Sequence, residues 1–321
     1  MKRILLSMGL LITGVVLTAC GTSKQDTASK QDDKIQAVAT FYPMYEFTKA
    51  VLGDTGEVEL LIPAGTEPHD YEPSAKDIAT ISDADVFVYN SETFETWVEN
   101  VEDNLSDKNL VIEAADEIEL LDFTGDEEDH DHEGEDHDHE AEEDHDHGGK
   151  DPHVWTDPVM AKSLVTEIAK ELSERYPEQK ATFEKNAADY TEKLDALDEA
   201  YRSAFANAKN KTFLVQHAAF GYLAHQYGLT QESIAGLSPD QEPTPARLAE
   251  LKHYAEDHHV AVIYFEENAN SKVAETLATE TGIKLMVLNP LESLTNEQME
   301  AGETYLSVME DNLTALQASI K

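Results

Sequence analysis

The run Ile35-Gln36-Ala37-Val38-Ala39-Thr40-Phe41 reads as a short apolar strand, and Pro43–Leu52 continues from it as a helix. Val58–Ile62 is a second strand, leading into the loop Pro63-Ala64-Gly65-Thr66-Glu67-Pro68-His69-Asp70. Ser74–Ile81 is helical with Ser74 as its N-cap, Asp85–Tyr89 returns to strand, and Asn109–Glu113 is another strand. Strands that alternate with helices predict a parallel α/β sheet. The second half repeats the pattern. Thr212–Val215 is a strand, Ala219–Tyr227 a helix that Gly228 stops, and Thr244–Asp257 a helix. Val260–Phe265 is a strand, Ser271–Thr281 a helix, Lys284–Leu288 a strand, and a last helix runs from Asn296 to Leu316.

Between the halves, Pro158 opens a helical stretch that reaches Lys209 with an interruption near Pro177. Leu164, Ile168 and Leu172 share one face of it. About 30 residues from Glu178 would span ~45 Å at 1.5 Å per residue, more than one small lobe needs. The expected fold is therefore α/β, with two lobes, each a mostly parallel sheet flanked by helices, joined by a long rigid helix.

A chain of 321 residues with 40% hydrophobic side chains can build such a pair of lobes. Its charge is lopsided, 66 Asp and Glu against 23 Lys and Arg, a formal net charge of −43. That excludes nucleic acid as a partner, since phosphate backbones are held by cationic surfaces. It suits the attraction of cations instead. A single cysteine leaves no internal disulfide or cysteine-ligated cluster, so any metal must be held by His and carboxylate.

At the N-terminus, Lys2 and Arg3 precede an apolar run from Ile4 to Leu17, short of the ~20 residues that span a membrane but fit for a secretory signal. It ends in Leu17-Thr18-Ala19-Cys20, which resembles a bacterial lipobox with Cys20 as the acylated first residue of the mature protein. The polar residues that follow read as a flexible tether. The expected divisions are a signal peptide at 1–19, the lipidated cysteine and tether at 20–34, and a first lobe at 35–157. A linking helix at 158–209 and a second lobe at 210–321 complete them. The first lobe includes an extreme loop at 126–149. Asp126–His147 holds only Asp, Glu, His, Gly and Ala, with His130, His132, His137, His139, His145 and His147 among them. Nothing there can bury apolar surface, so disorder is expected.

Seven histidines remain. In open α/β sheets ligands collect beyond the carboxyl ends of the strands. His69 follows the Val58–Ile62 strand by a loop, and His217 follows Thr212–Val215 directly. His153 sits in Asp151-Pro152-His153-Val154-Trp155-Thr156-Asp157-Pro158, where two prolines stiffen the backbone. His225, His253, His258 and His259 fall in or just past helices and read as surface or packing residues. Zinc prefers imidazole and takes four ligands, so three histidines leave one place. Glu292 stands just after the Lys284–Leu288 strand, with Asn289 its nearest rival; Glu266 and Glu267 also qualify by position. A zinc hydrolase would need an open position for water and a nearby base, and no His-Glu-x-x-His pattern is present.

The lipobox, Glu67-Pro68-His69-Asp70-Tyr71-Glu72-Pro73, Asp151-Pro152-His153-Val154-Trp155, Gln216-His217-Ala218-Ala219-Phe220-Gly221-Tyr222 and Asn289-Pro290-Leu291-Glu292 occur in this order. Together they resemble the zinc/manganese substrate-binding lipoproteins of bacterial ABC importers, in particular the zinc-specific branch of Gram-positive bacteria that includes streptococcal adhesin-type lipoproteins. The resemblance implies His69, His153 and His217 as zinc ligands and Glu292 as the acidic fourth. In manganese-binding relatives a carboxylate typically stands where His217 does, and imidazole there shifts preference towards zinc. It further implies Zn²⁺ as transported ligand, a permease and its ATPase as partners, and no enzymatic activity. The protein would be a monomer on the outer face of the cytoplasmic membrane, anchored there through Cys20. The His-rich loop would be a secondary zinc-collecting segment. Some zinc members carry a further C-terminal zinc-acquisition domain; with roughly 30 residues after Glu292, none is expected within this sequence. A manganese-binding role in the same importer class and a surface adhesin are the alternatives.

Overall fold

The computed structural model describes residues 34–102, 104–123, 149–241 and 243–321. The signal peptide, Cys20, the tether and the six loop histidines lie outside the described residues. Among those that are described, no helix is long and apolar enough to cross a membrane.

The first half contains β1 (Ile35–Ala39), α1 (Tyr42–Leu52), β2 (Gly56–Leu60), α2 (Ala75–Asp83), β3 (Val86–Tyr89), α3 (Val98–Glu102) and β4 (Leu110–Glu113). α4 (Pro158–Arg175) and α5 (Lys180–Phe205) follow. The second half contains β5 (Thr212–Val215), α6 (Gly221–Tyr227), β6 (Thr230–Ser233), α7 (Pro245–Asp257) and β7 (Val262–Phe265). It ends with α8 (Lys272–Thr281), β8 (Lys284–Val287), α9 (Asn296–Ala301) and α10 (Tyr305–Leu316). Two four-stranded parallel sheets result, ordered β2-β1-β3-β4 and β6-β5-β7-β8. In each, the chain steps outward once and then crosses back. The reversal falls between β1 and β3 in one sheet and between β5 and β7 in the other, where side chains leaving neighbouring strands diverge and open a crevice.

The inner strands of each sheet, β1 and β3 in one and β5 and β7 in the other, are largely buried, which is why they read as apolar runs. Phe213 and Val215 of β5 join a core shared by both halves, while Leu214 between them faces a smaller cluster under α7 and α8. Val86 and Val88 of β3 likewise enter the shared core, and Phe87 packs on the opposite side. Trp155, fully buried, closes the middle of this core: its indole N–H donates to Pro290 O at 2.8 Å, and its own carbonyl accepts from the Tyr305 hydroxyl at 2.6 Å.

Three readings change. The stretch read as one linking helix at 158–209 is two helices, parted at Pro177 and packed along each other. α5 buries Phe183, Ala187, Tyr190, Leu194, Leu197, Tyr201 and Phe205 along one face and lies against α1 of the first half as well as α6 and α10 of the second. The last helix is also two, because Gly302 adopts φ 78 and ends α9 before Thr304 caps α10. β6 was not foreseen. Thr230-Gln231-Glu232-Ser233 is a polar edge strand, and its pairing with β5 rests on backbone hydrogen bonds that carry no hydrophobic signature.

Candidate metal centre

His69, His153, His217 and Glu292 reach one point from four separate segments, and their donor atoms all lie within 4.8 Å of one another. Glu292 Oε1 is 3.3 Å from His69 Nε2, 3.3 Å from His153 Nε2 and 3.0 Å from His217 Nε2, while His69 Nε2 and His153 Nε2 are 3.3 Å apart. A tetrahedral ion with bonds of ~2.0–2.1 Å holds its donors ~3.3 Å apart, so the spacing suits such an ion. His153 and His217 are fully buried, and Glu292 is 4% exposed.

Each segment has its own fixing device. His217 leaves the carboxyl end of β5 and is within 2.5 Å of Glu266, which leaves β7, through Nδ1. These two residues straddle the point where the strand order reverses. His153 Nδ1 is 2.8 Å from Asp151 Oδ1, which also accepts the His153 backbone N–H at 2.9 Å. His69 donates its backbone N–H to Glu67 Oε1 at 3.1 Å, and Phe94 meets its ring edge-on at 4.8 Å. Glu292 follows Leu291, which holds φ 63, a left-handed backbone unusual for a non-glycine residue. Asn289 supports that turn by accepting the Leu291 N–H at 2.7 Å. The loops carrying His69 and Glu292 are stitched together where Gly65 N–H donates to Leu294 O and Ser293 Oγ.

The rivals for the fourth place sort themselves. Glu266 is buried but engaged with the far side of His217, Glu267 is exposed, and Asn289 is committed to its turn. His225, His253, His258 and His259 are exposed, as expected from their helices. What the sequence did not supply is the pair of carboxylates behind the imidazoles. The Asp-Pro-His spacing of Asp151 and His153 was the available signal for one. For Glu266 there was only its place after a strand.

Burial pushes Glu266 up while the His217 imidazole beside it pulls it down. In their ionised form Asp151 and Glu266 only accept hydrogen bonds, and so fix the Nδ1–H tautomer of their histidines. Neutral imidazoles then point Nε2 lone pairs at a Glu292 oxygen that carries lone pairs of its own. Only a cation between them, a proton or a metal, relieves that repulsion. The titration behaviour says the same. Burial would push Glu292 up, yet the imidazoles of His217 and His69 hold it well below the ordinary carboxylate range. Burial opposes charge on His217, but Glu266 and Glu292 raise it well above the usual imidazole value; His153 is raised against its burial by Asp151 and Glu292. His69 is lowered by burial. Beside the cluster is a small cavity of about 10 Å³ whose lining includes Glu67, Glu266 and Glu267. Burial and the nearby Glu292 push Glu67 up to about 8.

The family described as zinc-uptake complex component A, periplasmic (ZnuA), matches residues 37–319. The zinc-binding lipoprotein AdcA of Streptococcus pneumoniae is 54% identical over 317 residues, covering 98% of this chain and 60% of that protein. This chain thus spans about three-fifths of the length of that relative. The high-affinity zinc uptake system protein ZnuA of Bacillus subtilis is 50% identical over 308 residues, covering 95% of this chain and 94% of that one. Among solved structures, the Zn(II)-bound ZnuA-like domain of S. pneumoniae AdcA matches with TM-score 0.75 at 53% identity, over 89% of this chain and 98% of that one. The laminin-binding protein Lmb of Streptococcus agalactiae, described as having adhesin and metal-transporting activity, matches with TM-score 0.78 at 36% identity, over 90% and 100% of the two chains. With the family's profile spanning both sheets and relatives at half identity or better along nearly the whole chain, the protein belongs to the ZnuA family.

Proposed function

We propose that this chain captures Zn²⁺ outside the cytoplasmic membrane and delivers it to the permease of an ABC importer powered by its ATPase. His69, His153, His217 and Glu292 are the four ligands, and the ion is cargo. One observation carries the reading: two buried imidazoles, their tautomers fixed from behind by Asp151 and Glu266, aim lone pairs at a buried carboxylate. Three imidazoles and one carboxylate suit zinc better than manganese, which prefers more oxygen donors. Names of the relatives that denote zinc binding and zinc uptake support the same ion. Four side chains complete a tetrahedral shell and leave no place for an activated water, which favours carriage over hydrolysis. Acylation at Cys20 would hold the chain, as a monomer, beside the permease.

The deciding experiment is titration calorimetry of His217→Ala with zinc. Loss of one of four ligands should weaken binding by at least about 100-fold, beyond the range seen for outer-shell changes. Unchanged affinity would remove the site. Competition between Zn²⁺ and Mn²⁺ on the unaltered chain should favour zinc, and preference for manganese would point to the other branch.

A further inference from the structure

Gly221 and Tyr222 belong to the motif that contains His217, yet the metal ligands give them no role. They open α6, and both touch Asp151 from across the molecule. The Tyr222 hydroxyl donates to Asp151 O at 2.7 Å and accepts the Leu121 N–H at 2.8 Å. Asp151 N–H in turn donates to Leu121 O at 2.8 Å, beside the antiparallel pairing of Asp122 with Lys150. One buried hydroxyl therefore ties both strands of this short ladder to α6. Gly221 leaves the space that the Asp151 carboxylate fills: a Cβ there would stand 2.5 Å from Asp151 Oδ2. Beside it, Thr156 Oγ1 lies 2.9 Å from Ala219 O, joining the segments that carry His153 and His217 a second time.

We propose that Gly221 and Tyr222 are positioning residues for His153: they hold Asp151, main chain and carboxylate, and Asp151 sets the tautomer and direction of the imidazole. The consequence is that His153 and His217 form a preset half of the site, since the residues that hold one are neighbours in sequence of the other. This rests on His153 being a zinc ligand. A hydroxyl that merely closed the ladder would matter for folding and not for the metal.

The test uses the full chain carrying Tyr222→Phe, read by zinc competition against a chromogenic chelator and by the d–d absorption of the Co²⁺ form. Outer-shell partners of a metal-bound histidine are worth about 10- to 100-fold in affinity. Tyr222→Phe should therefore bind zinc about tenfold more weakly, with an altered Co²⁺ spectrum, in protein shown to be folded without metal. Asp151→Ala should weaken binding at least as much, and the double variant should be no weaker than Asp151→Ala alone, because both act through one route. A lowered melting midpoint for Tyr222→Phe with wild-type affinity and spectrum overturns the proposal, as do losses that add in the double variant. If the unaltered chain fails to bind zinc, the proposed function falls instead, which the wild-type titration reveals separately.

Discussion

The four converging side chains are not equivalent. His69 lies part-buried against Phe94, and burial depresses its affinity for a proton, whereas His153 and His217 are backed by carboxylates that raise theirs above the ordinary 6.5. A ligand must be deprotonated to bind, so a raised value makes protons compete with metal at higher pH. The sign follows: zinc affinity should fall as pH drops through the raised range, starting above 6.5, and His69 should add to the loss only at lower pH. Zinc binding at pH 7 should accordingly release protons. Calorimetry in buffers of different ionisation enthalpy measures this directly, and identical heats in all buffers would contradict it. The histidines were legible in the sequence because each follows a strand end or sits between prolines. Of their carboxylate partners, Asp151 stands two residues from His153, whereas Glu266 was not legible, because the 49 residues from His217 to Glu266 carry no pattern linking them.

Among the elements, the turn after β8 sets where Glu292 lands. Asn289 donates its N–H to Asn312 Oδ1 at 2.9 Å, its side chain accepts from Leu291, and its carbonyl accepts from Asn312 Nδ2 at 2.7 Å. All of this is buried. Asn289→Ala leaves the Leu291 N–H without its acceptor and should cost about 1–3 kcal/mol of stability, read from urea unfolding of the metal-free chain. A change below a few tenths would show that the left-handed turn holds without its side-chain support. Sequence marked this segment as a candidate by its position after a strand and by the resemblance of its motif, and ranked Asn289 as a rival ligand. The structure gives Asn289 the prior task of bending the chain. The same kind of local contest hid β6, whose polar residues pair through backbone alone, and split the last helix at Gly302.

At the level of the whole molecule, the two sheets share one core, with Trp155 at its centre and α5 lying against elements of both halves. The segments that carry the four converging side chains are tied across the halves twice, through Gly65 with Ser293 and Leu294, and through Thr156 and Tyr222 with the segments around them. The proposed function therefore places tight binding in this core and not in the acidic segment at 126–147. Deletion of residues 126–147 should leave zinc affinity within about threefold of wild type, because the four proposed ligands and the carboxylates described behind them lie outside that stretch, while slowing growth under zinc limitation. Loss of the tight site on deletion would contradict that division. Electrostatics acts at this scale too: a net charge of −43 raises the local concentration of cations around the whole surface.

In the sequence itself, alternating strands and helices predicted two parallel α/β halves, and strand-end position with a pair of flanking prolines singled out three candidate histidines, since these follow from short-range rules of backbone and burial. Position left Glu292 beside Glu266 and Glu267, and the resemblance implied Glu292. Tertiary structure is what brings Glu292 to the histidines, sets Asp151 and Glu266 behind two of them, and packs the two helices of the linking stretch along each other. Those outcomes depend on distances between residues far apart in the chain, and such distances are set only when the shared core closes.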